Sequence, residues 1–160
     1  MLHFWTRQNM QTDLFLARPC IMQRHPARSR RLWTARFTDA PRFLGVDIGR
    51  AHDLTAIAEL AAVGEELRLV DVETLERLPF AEQREIISAR LSRPAVRGCA
   101  VDATGIGAQL AEELRAKFGA KVAPVQFTNA IKNDLFQGLH RAMEEARLAL
   151  PADRELREDI

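Results

Sequence analysis

A chain of 160 residues that is 47% hydrophobic and 28% charged can build one core, leaves no room for two ordinary domains, and has neither a disordered nor a fibrous composition. No apolar run approaches the roughly 18 residues of a membrane span. Cys20 and Cys99, 79 positions apart with no further Cys or His at zinc-ligand spacing, argue against a disulfide scaffold and a structural zinc and fit a reducing cytoplasm.

The net charge of +1 conceals an asymmetry: residues 1 to 42 hold eight Arg against Asp13 and Asp39, a balance of +6. The other 118 residues hold 15 basic and 20 acidic groups, a balance of −5, so attraction to nucleic acid is expected to concentrate in the first quarter of the chain.

Residues 1–41 sustain neither a helical nor a strand period, and they hold both Trp, three of the four Met, three of the seven Pro and no Gly. They read as a basic, poorly ordered and loosely packed extension. An Arg-rich, acid-poor start also resembles a transit peptide, but such peptides are Ser-rich and this one has Ser29 alone. Two readings stay open: an arm that lies on phosphates with Trp5 and Trp33 stacking on bases, and a linker from a larger protein or a misplaced start codon.

From Pro41 the pattern changes. Phe43-Leu44-Gly45-Val46-Asp47-Ile48-Gly49 is a short apolar run ending in an acid and a glycine, which predicts a buried strand. Leu54 to Leu60 predicts a second strand. Leu67 to Leu75 alternates apolar and polar after the turn Gly64-Glu65-Glu66, which predicts a third strand near an edge and an antiparallel meander of all three. After Pro79, the spacing of Phe80, Ile86, Ile87, Ala89 and Leu91 predicts a helix.

Val96 to Val101 predicts a fourth strand ending in Asp102, and Ala103-Thr104-Gly105-Ile106-Gly107 turns into a helix with Leu110, Ala111, Leu114 and Phe118 on its apolar face, stopped by Gly119. Val122 to Phe127 is a fifth strand that Pro124 assigns to an edge or bulge. Thr128 or Asn129 can cap a long helix carrying Ile131, Leu135, Leu139, Ala142, Met143 and Ala146. Leu148 to Pro151 leaves that helix, and Asp153 to Ile160 looks like the first turns of another. The order βββαβαβα implies an α/β fold with a mixed, mostly five-stranded sheet flanked by helices.

Two acids, Asp47 and Asp102, stand at the carboxyl ends of predicted buried strands, each followed by a glycine-bearing turn. In open α/β sheets ligands sit at such strand ends, so carboxylates on neighbouring strands are expected to meet within about 7 Å. Like charges that close call for a cation between them, and hard oxygen donors suit magnesium or manganese, particularly in pairs of ions that clamp a phosphoryl displacement. The plainer alternative is that both acids cap turns. His52 and His140 lack a nucleophile at any motif spacing, and Cys99 inside an apolar strand reads as inert core.

Gly45-Val46-Asp47-Ile48-Gly49-Arg50-Ala51-His52-Asp53-Leu54-Thr55, Val101-Asp102-Ala103-Thr104-Gly105-Ile106-Gly107 and Phe127-Thr128-Asn129-Ala130-Ile131-Lys132, in that order, resemble the nuclease domain of bacteriophage large terminase subunits, especially those of Mu-like prophages. The likeness covers residues 43 to 160. It implies a ribonuclease H-like fold over residues 42–160 and a two-metal site with Mg2+ or Mn2+, in which Asp47 and Asp102 are catalytic, metal-binding carboxylates. It also implies double-stranded DNA as substrate during packaging, other terminase or portal components as partners, no membrane, and the cytoplasm of a bacterial host. Asp53 is a further candidate ligand, or a residue that holds Arg50 or His52 in place. Lys132 and Arg50 are candidate contacts to DNA phosphates, against the alternative of solvated cations.

The resemblance implies a further acidic cluster beyond the end of this chain, for which Glu158 and Asp159 are unconvincing substitutes, so the nuclease domain is expected to be truncated at its C-terminus. No Gly-x-x-x-x-Gly-Lys-Ser/Thr sequence occurs, so an ATPase domain of the packaging type is expected to be missing too. The leading reading is therefore a terminase-type DNA endonuclease domain with weak or no activity as a fragment. A non-catalytic DNA-binding remnant is the alternative. A sugar-kinase or actin-like ATPase fragment fits less well, because Arg50, Ala51 and His52 follow Gly49 where a phosphate cradle needs small residues.

Overall fold

The structure, a computed structural model, describes residues 37–49, 54–76 and 78–151. Strands β1 (Arg42–Asp47), β2 (Thr55–Val63) and β3 (Glu66–Leu75) come first, then helix α1 (Phe80–Leu91), strand β4 (Val96–Asp102) and helix α2 (Gly107–Phe118). A single 3-10 turn at Gly119–Lys121 leads to β5 (Val122–Val125), α3 (Asn129–Glu144) and the two-residue β6 (Leu148–Ala149). Most of the expected extension lies outside the described residues. Its last part, residues 37–41, meets the sheet: Arg42 donates to the Phe37 carbonyl at 2.5 Å, and the Ala62 N–H donates to the Pro41 carbonyl at 2.9 Å.

The sheet has six strands in the order β5-β4-β1-β2-β3-β6. β1, β2 and β3 pair antiparallel, as short turns between alternating strands require. β4 lies parallel to β1, and β5 parallel to β4. The sixth strand departs from the sequence expectation, which had Leu148 and Ala149 merely leaving the last helix. They pair in parallel with Leu67 and Arg68, and two residues are too few to show a period.

Period-2 alternation puts Leu44, Val46, Ile57, Cys99, Val101 and Val122 on one face of the sheet. α1 and α2 cover that face with Ile87, Leu91, Leu110, Ala111 and Leu114. Ile57, Ile87 and Leu91 are fully enclosed, each contributing about 1.5–3 kcal/mol of burial free energy. Of the side chains expected to face inward from α1, Phe80 and Ala89 do not. Phe80 begins the helix, and Ala89 lies two residues, about 200° of helical turn, from Ile87. The buried stripe runs instead through Gln83, Ile87, Ser88 and Leu91. Gly119, at φ 60°, ends α2 as expected.

α3 forms where the apolar spacing placed a helix, but its apolar residues do not enter the core: it has no buried residue and leaves Leu135, Phe136, Leu139 and Met143 exposed. It packs chiefly on the short β6. It also stops at Glu144, before Ala146, which adopts a left-handed φ of 53°.

An ionic network ties α1 to the sheet. Glu59 of β2, 5% exposed, accepts from Arg90 at 3.2 Å and from Arg93 at 2.6 Å, with Arg42 of β1 at 3.7 Å. Arg90 also pairs with Asp71 at 2.8 Å and with Glu73. Burial works to lower the Arg90 pKa, but the two β3 carboxylates outweigh it and leave it raised. Arg90→Met, which keeps the aliphatic stem and strands the acids, should cost about 3 kcal/mol in urea denaturation. Arg147→Ala, whose pair with Glu145 is half in water, should change stability by less than about 1 kcal/mol.

A candidate metal centre at adjacent strand ends

β1 and β4 run parallel with Val46 opposite Val101, so the next residue of each strand, Asp47 and Asp102, emerges at the same end of the sheet. Both side chains line one open cleft of about 420 Å³, together with Thr104, Phe127, Lys132 and Leu135. The Asp47 pKa is raised above its ordinary value of 3.8, by partial burial first, then by the charge of Asp102 and a hydrogen bond to it. Two like charges brought this close favour a proton or a cation between them.

The turn after β4 fixes one of the two acids. The Thr104 N–H donates to Asp102 Oδ1 at 2.8 Å, and the Thr104 hydroxyl accepts from the Phe127 N–H at 3.0 Å. The Ala103 N–H donates to the Val125 carbonyl at 2.8 Å, so the end of β4 is stitched to the exit of β5. Gly107 opens α2 so close to this turn that a Cβ there would lie 2.4 Å from the Asp102 carbonyl oxygen. Only glycine fits without moving the strand end.

Lys132 reaches the cleft because Thr128 starts α3, its hydroxyl accepting from the Ile131 N–H at 3.3 Å. That confirms Thr128 as the cap. Asp47, Asp102 and Lys132 are thus brought together. Arg50, Asp53 and His52 lie outside the described residues, as do Glu158 and Asp159. His140 faces Glu144 on α3 at 3.4 Å. Cys99 is buried, and burial pushes its thiol pKa up to about 12, consistent with inert core. Sequence reasoning did not assign Thr104, Phe127 or Leu135 to the site. The position of Thr104 two residues after a strand-end Asp is an Asx-turn signal that could have found it.

The donor chemistry fits a hard divalent cation, since two carboxylates supply anionic oxygens and their repulsion falls when a dication lies between them. Among the described residues no group of three metal-ligating side chains occurs. The raised Asp47 pKa has a stability consequence. The folded state binds this proton more tightly than the unfolded state, so the contribution of Asp47 to metal-free stability is fully present below about pH 4 and is lost as pH rises through its folded pKa. Asp47→Asn should remove that fall and raise the thermal midpoint at pH 7 in a chelator by a few degrees, as scanning calorimetry from pH 4 to 8 would measure.

Comparison with known proteins bears on the fold and the family. A family model described as the terminase RNaseH-like domain matches residues 44–160. The Mu-like prophage FluMu protein gp28 of Haemophilus influenzae is 31% identical over 116 residues, which is 70% of this chain and 23% of that protein. The crystal structure of the large terminase nuclease from thermophilic phage G20c aligns with a TM-score of 0.60 at 22% identity, covering 73% of this chain and 61% of that one. The Thermus phage P74-26 nuclease domain aligns at 0.57 and 22%, covering 75% and 60%. The chain thus spans about a quarter of the prophage relative and about three fifths of the solved nuclease domains. With the sheet order, the helical layer and a family match over most of its length, the chain belongs to the terminase RNase H-like domain family.

Proposed function

We propose that this domain is a metal-dependent endonuclease acting on double-stranded DNA, with Asp47 and Asp102 holding divalent ions, magnesium or manganese, at the strand ends. The observation that carries this reading is the juxtaposition of the two carboxylates in a cleft that Lys132 also lines. The G20c terminase nuclease has been crystallised with magnesium, with zinc and with cobalt, which supports a divalent-ion site in a protein of this fold. Asp53 and Arg50 stay proposed as a further ligand and a phosphate contact, and portal or other terminase components as partners. A bacterial cytoplasm fits a phage packaging nuclease, and among the described residues no helix is long and apolar enough to cross a membrane.

The chemistry such ions supply, when bound, is a more acidic water and neutralisation of charge at the scissile phosphate. The protein's own residues divide the remaining tasks. Asp47 and Asp102 present oxygens from a rigid ladder, which fixes the direction from which a phosphodiester must approach. Thr104 holds the Asp102 carboxylate in one orientation through its backbone N–H. Lys132, at the first turn of α3, holds a phosphate as a point charge. A second reading, a DNA-binding domain without catalysis, is favoured by the absence of a third ligating side chain near the pair among the described residues.

Nicking of supercoiled plasmid with Mg2+ or Mn2+ separates the readings. Activity that Asp47→Asn and Asp102→Asn each lower by at least about a thousandfold supports the nuclease. DNA binding with neither nicking nor Mn2+ binding supports the second reading, whereas no nicking with Mn2+ bound at the two carboxylates is the weak-fragment outcome of the first. Mn2+ binding that neither Asn variant weakens overturns the carboxylate assignment.

Lys132→Ala should weaken DNA binding uniformly across sequences and reduce the salt slope of the affinity by about one charge. Fluorescence anisotropy at several salt concentrations measures both effects.

A further inference from the structure

The opposite side of the β1 end carries a buried polar relay that the site chemistry above does not use. The Gly49 N–H, two residues past Asp47, donates to the Thr55 hydroxyl at 2.9 Å. That hydroxyl donates in turn to Gln83 Oε1 at 2.8 Å. Gln83 Nε2 donates to the Leu78 carbonyl at 2.8 Å. Thr55 is 0% exposed and Gln83 5%, so these bonds form away from water, where an unmatched polar group is costly.

We propose that Thr55 and Gln83 are positioning residues for Asp47, setting the affinity of the strand-end pair for a divalent cation. The inference rests on the metal-site reading given above. Asp47 sits opposite Ala56 in the β1–β2 ladder, and Thr55 is the last residue of β2 on that side. The ladder therefore ends at Asp47, and what directs the chain beyond it is the Gly49–Thr55 bond. Gln83 anchors that bond to the first turn of α1, whose Ile87 and Leu91 are locked in the core. Asp102 is held by its own turn through Thr104. Each carboxylate thus has a separate fixture, and the spacing of the pair depends on both.

The test uses the full chain and Mn2+ alone, with binding followed by calorimetry and by the electron paramagnetic resonance signal of free Mn2+. Thr55→Val keeps the side-chain shape and removes the hydroxyl, and Gln83→Leu removes the anchor. Each should weaken Mn2+ binding about tenfold, with Thr55→Ser restoring affinity to within about twofold of the parent. Ile87→Val, which thins the core one turn along α1 from Gln83, serves as the structural control and should leave affinity unchanged. Circular dichroism establishes that each variant is folded at the assay temperature. If Thr55→Val does not fold, Gln83→Leu and Thr55→Ser decide the matter by the same affinities. Parent-like Mn2+ binding by folded Thr55→Val or Gln83→Leu overturns the proposal, as does an equal loss in Ile87→Val. If Asp47→Asn and Asp102→Asn abolish binding while the relay variants bind normally, the positioning role alone falls. If the Asn variants bind normally, the metal-site reading falls and takes the relay with it.

Discussion

The parallel ladder between β1 and β4, in register from Phe43 against Gly98 to Val46 against Val101, carries two carboxylates to the same level at one end of the sheet. Parallel pairing is what makes this possible, because an antiparallel neighbour would have placed the end of one strand beside the start of the other. The ladder itself is secured from behind by α1 and α2, and on its other face Gly98 leaves room for the Phe43 ring. At Gly98 the Phe43 ring lies 3.3 Å from where a Cβ would stand. The core therefore provides a stiff platform, and the platform carries an electrostatic cost at its rim.

That cost is one that a cation bound between the two acids would relieve. A domain selected only for stability would neutralise one of the two acids, whereas here burial and the neighbouring charge both work against ionisation of Asp47. The Glu59 network offers a contrast within the same sheet. Its carboxylates are surrounded by Arg42, Arg90 and Arg93, so its buried charge is matched and the group serves to fasten a helix. The same sheet thus carries opposed charges that fasten a helix and like charges that are left unmatched among the described residues.

Most of the fold was legible because it is written in local patterns. Short apolar runs bounded by Gly, Pro and acids marked β1, β2, β3 and β4, and Pro124 marked β5 as an edge strand, which it is among the described strands. Asp47 and Asp102 stood out because each closes a buried run. The relay through Thr55 and Gln83 was not legible, since its partners lie 28 positions apart and a buried Gln on a helix resembles any exposed one. β6 was too short to leave a pattern. The apolar spacing on α3 announced the helix but not its surroundings, because periodicity reports that a face is apolar and not what meets it.

Pro124 has a consequence for how this domain behaves in company. It sits within a four-residue strand, opposite Val101, and its nitrogen carries no proton to offer a neighbour. Outward-facing strand edges are where folded chains recruit one another into unwanted oligomers and fibrils. A brief edge strand interrupted by proline makes a poor template for such recruitment. The flank of the sheet nearest the β4 carboxylate thus offers a neighbouring strand little to pair with.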